Sequence, residues 1–479
     1  MGINKGTAQM AAAALQGLLK DIDKAWPRHL KQTRELLKIP SVSFTGEGIG
    51  ASADAFQELL GRLGVKAGQY KASRKSHPLV HGYLDVGAKH TVLMYGMYDV
   101  QPVGDLDEWD YPPFAATIAK RAGKEVLVNR GVYNSKASLA GSVLAIETML
   151  NRGEMPVNVR FLLEGEEELG GQSLPKYVMK NKSVLSKADA AFGFDYCENE
   201  RGVPIVSAGM KGCLYFDLIA DGSNQGGPQT EIHSSDAVWV QSPVWRLMKA
   251  VSTMVDDNQI PVVDGIWDAV KGPDNEDKAL IKALARRMDL DAYKRELGVD
   301  TFKIMGSKEE LLTSYMYDPS LNICGIEAGY NDVGTKTVLP SHAEVKIDIR
   351  LVPIMTVEET MSKVMAHLKK RGYSDIKVRR YEDYPYSKVA AHEPPMKATI
   401  EAMKLLGKDP EVWPMTAGSA PFYLFSDVLK VPWGGAGLGH GGNAHAPNEF
   451  AVVSTMRDFE KSVIATFQKY ADIADGHRR

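Results

Sequence analysis

The stretch VNVRFLLEGEEELGG, residues 157–171, joins a continuous apolar run, Val157 to Gly165, to three consecutive carboxylates, Glu166, Glu167 and Glu168. An apolar run of this length that ends at a glycine reads as a strand buried on both faces, and such strands belong to parallel sheets. Adjacent carboxylates repel one another unless a cation or a proton stands between them. A charge run by itself is usually a solvated loop. Three carboxylates at the end of a buried strand carry a ligand signature instead.

Two further runs repeat the pattern on either side. The segment HTVLMYG, from His90, reads as a buried strand that leads into the polar stretch MYDVQPVGD and so to Asp99. AAFGFDY, from Ala190, ends at Asp195. Between the first two runs Leu139, Val143, Ile146 and Leu150 recur at helical spacing and predict a helix closing near Asn151-Arg152-Gly153. Strands that alternate with helices pair in parallel through right-handed crossovers, and ligands then bind at the carboxyl ends of the strands. Asp99, Glu167, Glu168 and Asp195 all fall there.

After Met210-Lys211-Gly212 the character changes to the alternating strand CLYFDLIAD, followed by helical spacing around Val244 to Met254. A second alternating strand, Glu344 to Leu351, precedes a helix carrying Val357, Met361, Val364 and Leu368, and then the strand IKVRRYED. The last stretch returns to Gly-rich loops and ends in a helix with Met456, Phe459, Val463, Phe467 and Tyr470 on one face. The expected fold is α/β: one domain formed by residues 1–212 and 385–479, interrupted by an inserted α+β domain over 213–384.

The chain has 479 residues, 44% hydrophobic and 24% charged, the balance of an ordinary globular protein of more than one domain. A formal net charge of -3 supplies no field to gather nucleic acid or anionic lipid. Expected partners are small molecules, with no nucleic acid and no membrane. Three cysteines, Cys197, Cys213 and Cys324, lie far apart with no CxxC pair, so a reducing, cytoplasmic setting is expected. The N-terminal apolar stretch is soon interrupted by Lys20, Asp21 and Asp23 and suits an amphipathic helix rather than a signal peptide. The Gly-rich run GLGHGGNAHAPNE at 437–449 offers His440 and His445.

Across nearly its whole length the chain resembles the co-catalytic metallopeptidases and amidohydrolases that include carnosine dipeptidase, acetylornithine deacetylase and succinyl-diaminopimelate desuccinylase. The likeness runs through YGMYDVQP, WDYPPF, NRGVYNSKAS, VRFLLEGEEELGG, PSLNICGIEAGY, KTVLPSHAEVKIDIRLVP and AHAPNE. It implies a mixed-sheet, zinc-peptidase-like catalytic domain with a ferredoxin-like lid and dimerisation insert, and a homodimer. It further implies Glu167 as general base, Glu168, Asp195 and His445 as metal ligands, and Asp99 as the acid that orients a ligand histidine. His233 would support the oxyanion in the neighbouring subunit's site, while Thr337, Arg350 and Ser419 would contact substrate, Arg350 gripping a carboxylate with two prongs.

Two positions depart from the family pattern. Met97 stands where a ligand histidine belongs, and Asn134 where an aspartate bridges both metals. A thioether is a soft, neutral ligand for zinc or manganese, and an amide offers one carbonyl oxygen in place of two charged ones. Ser135 and Ala137 depart in the same loop, whereas Lys136 matches. The expectation is therefore at most one zinc or manganese per chain, or none, with Cys197 and Glu198 as candidate replacement ligands. The expected activity is hydrolysis of the amide bond in a small dipeptide or N-acyl amino acid. Its alternatives are a metal-independent reaction using Lys136, Tyr98 or Tyr133 as acid or base, and a catalytically silent ligand-binding protein.

Overall fold

Residues 5–381 and 383–477 are described by the computed structural model, and they fall into two units. The first is built on strands β1 (Gly68–Tyr70), β2 (Leu79–Leu84), β3 (Thr91–Met97), β4 (Asn158–Glu164) and β5 (Ala190–Gly193). Together with Trp433–Gly434 they form a six-stranded sheet in the order β1, β2, β4, β3, β5, Trp433–Gly434. The β3–β4, β3–β5 and β5–Trp433 pairs are parallel, and β1 and β2 add antiparallel neighbours at one edge. The sheet is mixed because the short β1 and β2 need no crossover helix.

Helix α1 (Lys136–Arg152) ends at Gly153, whose φ of 71° is the left-handed closure that glycine adopts without a Cβ penalty. Leu139, Val143 and Ile146 of α1 bury into one core with Val92 and Met94 of β3, Phe161 of β4, Phe192 of β5, and Phe459, Val463 and Phe467 of the helix Val453–His477. A second sheet in this unit pairs Thr117–Arg121, Lys124–Val128, Phe450–Val452 and Gly441–Gly442, all antiparallel. It brings the loop after Val128 alongside the loop before Phe450.

One glycine sets the close approach of two strand ends in this unit. A Cβ on Gly435, whose φ is 123°, would fall 2.1 Å from the Gly193 carbonyl oxygen, two residues before Asp195. Gly435→Ala should therefore destabilise the chain by about 2–4 kcal/mol, read as a fall in melting temperature, because neither backbone segment can yield without moving Asp195. An unchanged melting temperature would refute this packing.

The second unit contains strands β6 (Gly212–Asp221), β7 (Ser320–Ala328), β8 (His342–Leu351) and β9 (Lys377–Arg380), with helices α2 (Pro243–Ser252) and α3 (Val357–Lys370). Its sheet runs β7, β8, β6, β9, every pair antiparallel. Chain order β6, α2, β7, β8, α3, β9 with that strand order is the ferredoxin-like split βαβ arrangement that the family resemblance implies. Leu214, Phe216 and Leu218 alternate inward from β6 onto Val345, Ile347 and Ile349 of β8 and onto Met361 and Val364 of α3. The helices Asn275–Arg287, Leu290–Leu297 and Lys308–Tyr317 lie between α2 and β7 in the chain.

The division of the chain differs from the sequence expectation in two respects. The second unit spans Gly209–Lys388 rather than 213–384, and it also takes Pro414–Tyr423, which the sequence reading assigned to the first domain. Backbone hydrogen bonds explain the exchange: Thr416 N donates to Gly209 O at 2.8 Å and Lys211 N to Thr416 O at 3.2 Å. Ser419 travels with this segment.

Candidate active site

Three carboxylate-bearing turns leave the carboxyl ends of parallel strands β3, β4 and β5, in register because Met97 pairs with Glu164 and Tyr95 with Gly193. Asp99 is fully buried. Its Oδ1 accepts from Glu167 N at 3.2 Å and its Oδ2 from Glu168 N at 3.0 Å, so it anchors the short 3-10 turn Glu167–Leu169. This replaces the expected role of orienting a ligand histidine, since no histidine stands at position 97. Burial, then the charge of Glu168, pushes the Asp99 carboxyl up to about 7.

Glu167 is half-buried and sits among like charges. Burial first, then Glu168, Asp99, Glu164 and Asp195, raise its carboxyl well above the usual carboxylate range. Beneath it Glu164 accepts from the Tyr95 hydroxyl at 2.9 Å, and burial pushes it up to about 8. Glu166 points away, taking backbone N–H groups from His77, Gln172 and Ser173. Its work is structural. Asp195 is reachable by solvent yet enclosed by protein, which pushes its carboxyl up to about 6; its Oδ1 accepts from Ser138 Oγ at 2.8 Å.

Glu168 and His445 lie together, with Oε1 and Nε2 3.1 Å apart. His445 reaches this place from a loop position with φ of 61°. Asn134 Nδ2 lies 2.8 Å from the same Oε1 and 2.7 Å from the same Nε2. Gln101 Nε2 donates to the other oxygen, Oε2, at 2.8 Å. Gln101 was missed in the sequence. The signal was its offset of two from Asp99, which in extended chain puts both side chains on one side.

For the family's pair of cations the donors do not fit. Met97 is a buried neutral thioether, Asn134 a neutral amide, and among the described residues no group of three His, Cys, Asp or Glu converges to hold a metal. For one cation, Glu168 and His445 do fit: two ligands of a tetrahedral zinc lie about 3.4 Å from each other. Turning the Asn134 amide would aim its carbonyl oxygen at the same point, the two orientations being distinguished only by their hydrogen bonds.

The remaining candidates separate. Lys136, buried, donates to Ile39 O at 2.7 Å and Ser41 Oγ at 3.1 Å, and burial brings its amine down to about 7. The Tyr98 hydroxyl donates to the Pro78 carbonyl, its ring stacks on Phe56, and burial raises its phenol. These contacts correct the expectation of Lys136 and Tyr98 as acids or bases: both are tied into the protein interior. Tyr133 is half-buried, with its ring close against Gly441. Cys197 and Glu198 are also corrected as replacement ligands. Burial holds the Cys197 thiol up to about 12, and Glu198 accepts from Lys408 Nζ at 2.5 Å and Gly439 N at 2.8 Å.

In the second unit Arg350, on β8, donates to Asp348 Oδ1 at 3.1 Å and to Ser419 Oγ at 2.8 Å, which joins two of the predicted substrate contacts. His233 and Thr337 are both exposed and 3.0 Å apart, Nε2 to Oγ1. Ser235 N donates to His233 Nδ1 at 3.1 Å, so Nε2 carries the proton and can donate it.

Strand-end carboxylates on a mixed α/β sheet, in a chain that also carries a ferredoxin-like insert, define a hydrolase scaffold whose acidic groups gather at the sheet's carboxyl edge. The chain belongs to peptidase family M20/M25/M40, whose pattern it matches over residues 93–469. It is 27% identical to the Cys-Gly metallodipeptidase of Saccharomyces cerevisiae, covering 96% of this chain and 98% of that one. It is 32% identical to the Beta-Ala-His dipeptidase of Rattus norvegicus over 59% of this chain and 55% of the relative. The solved M20 metallo-carboxypeptidase of Sulfolobus solfataricus superposes with a TM-score of 0.85 at 33% identity, covering 93% of this chain and 99% of that structure. No helix among the described residues is long and apolar enough to cross a membrane.

Proposed function

We propose that this protein hydrolyses the amide bond of a small dipeptide or N-acyl amino acid, with Glu167 as general base. The observation that carries the reading is Glu167 itself: a half-buried carboxylate at a parallel strand end, where burial first and then the charges of Glu168, Asp99, Glu164 and Asp195 raise its affinity for a proton. A base so placed takes a proton from the attacking water and returns it to the leaving amine. Asp99 holds the Glu167–Glu168 backbone still meanwhile. Glu168 and His445, with Asn134, would hold at most one zinc or manganese, which supplies Lewis-acid polarisation of the scissile carbonyl when bound.

Arg350, steadied by Asp348 and Ser419, receives the substrate carboxylate, and His233 with Thr337 supplies hydrogen-bond donors for the oxyanion. The protein acts as a homodimer in this reading, because the exposed His233 would serve the neighbouring subunit. A fully active monomer by light scattering at micromolar concentration would sink that part.

The test is turnover of a panel of dipeptides and N-acyl amino acids with and without added zinc or manganese. Arg350→Ala should raise KM about 10–150-fold for substrates with a free carboxylate, the loss of a charged hydrogen bond of about 1.5–3 kcal/mol, and leave kcat nearly unchanged. No turnover of any member, with or without metal, removes the hydrolase reading. A second reading, metal-independent chemistry or silent ligand binding on the same scaffold, is favoured by one observation. Asn134 already bridges Glu168 and His445 by hydrogen bonds, so the pair needs no cation to be held together. Turnover that survives chelation, or carboxylate binding without turnover, would support it.

A further inference from the structure

We propose that Glu449 is a positioning residue of this site, a buried carboxylate that sets the Asn134 loop and the His445 loop against each other. The inference rests on the reading of the site above and adds to it a residue that touches neither substrate nor reacting atoms. Phe450 pairs with Val128 in the second sheet, and just beyond the ladder Asn129 N donates to Glu449 O at 3.1 Å. The Glu449 side chain then turns into the loop opposite. Its Oε1 accepts from Tyr133 N at 2.8 Å and Asn134 N at 2.9 Å; its Oε2 accepts from Gly131 N at 3.0 Å and Arg130 Nη1 at 2.8 Å.

Glu449 and Arg130 are each only 1% exposed, so no solvent competes for these bonds. Arg130 is fixed in turn by the Pro102 carbonyl at 3.2 Å and by the Trp109 ring, whose centroid lies 5.3 Å from its guanidinium carbon. A buried ion pair gains little net stability over apolar packing. What this one does is order backbone: three N–H groups in an irregular loop would otherwise lack partners. With the Asn134 backbone held by Oε1, its side-chain amide arrives at both Glu168 and His445. His445 lies four residues before Glu449 in the same loop, so one carboxylate ties both segments.

Glu449→Gln tests this with a side chain of the same shape. Whichever way the amide turns, its NH2 faces two donors, so one side of the cradle loses both bonds. In protein labelled with 15N-asparagine, the Asn134 side-chain amide signal, identified by its disappearance in Asn134→Asp, should shift and broaden in Glu449→Gln at any metal content. Zinc affinity measured by chelator competition should fall about 10–100-fold, and kcat about 10-fold or more with KM within about twofold. A merely structural role would lower the melting temperature and move none of these.

A folded Glu449→Gln whose Asn134 signal, zinc affinity and kcat all stay within about twofold of the unaltered protein overturns the proposal. An unaltered protein that hydrolyses nothing defeats the proposed function, while the Asn134 signal still judges Glu449. If Glu449→Gln does not fold, Arg130→Lys, which keeps the charge and loses the forked grip, is measured the same way. It should shift the signal in the same direction; no shift overturns the proposal.

Discussion

Glu167→Gln should lower kcat about 10²–10⁴-fold against whichever dipeptide or N-acyl amino acid is turned over, with KM nearly unchanged. Glutamine keeps the volume and the hydrogen-bonding reach of the side chain but cannot accept a proton at neutral pH. Substrate carboxylate recognition, assigned to Arg350 in the second unit, is untouched by the change, which is why KM should hold. The same substitution removes one negative charge from a neighbourhood containing Asp99, Glu164, Glu168 and Asp195. Melting temperature should therefore stay level or rise, the usual sign of a group kept for chemistry against the interest of stability. Steady-state kinetics with a thermal scan checks both halves. Activity within tenfold of the unaltered protein would remove Glu167 from the role of base.

Placing a histidine at position 97 and an aspartate at position 134 should change the metal content. Met97→His combined with Asn134→Asp should raise tightly held zinc from at most one per chain to two, measured by plasma mass spectrometry after dialysis. The change supplies an imidazole at the end of β3 and a carboxylate beside Glu168 and His445, the donor types that zinc prefers. The sign of the chelator effect separates this from adventitious binding. In the unaltered chain the Asn134 amide donates to Glu168 at 2.8 Å, a contact without like-charge repulsion that stands without a cation. An aspartate there would face Glu168 with like charge, so chelation should lower the double variant's melting temperature by several degrees, about 1–3 kcal/mol. The unaltered protein should respond much less. Two zinc ions already bound to the unaltered chain, or no gain in the variant, would overturn the reading of Met97 and Asn134 as the cause of a reduced centre.

Met97 and Asn134 are also the two places where a close reading of residues says more than the fold does. Side-chain chemistry at those positions, a neutral thioether and a neutral amide, bears directly on what the site can hold. Around them the loops are held in place: Glu449 gathers the Asn134 loop, and Asp99 anchors the Glu167–Glu168 turn. Asn134, Glu167 and Glu168 are thus held in a defined geometry by buried carboxylates.

By itself the sequence determined the strands and what stands at their ends. Runs such as Val157 to Gly165 are apolar because both faces of a parallel strand are covered, so local pattern is enough to place Asp99, Glu167 and Asp195 at one edge of one sheet. The alternation in β6 and β8 and the helical spacing of α3 likewise make the second unit readable, since each period reports which face its own element buries. Only tertiary structure decided where individual side chains turn and which distant segments they join. Lys136 and Tyr98 neighbour the altered positions in the chain yet turn to the Ile39 and Pro78 carbonyls. Gln101 joins Glu168, and Pro414–Tyr423 joins the second unit through Gly209 and Lys211. Glu449 meets Gly131 across 318 residues of chain, and His445 meets Glu168 across 277. Periodicity carries information over one or two turns of an element, whereas a buried polar group turns to whichever partner the whole fold brings within 3 Å.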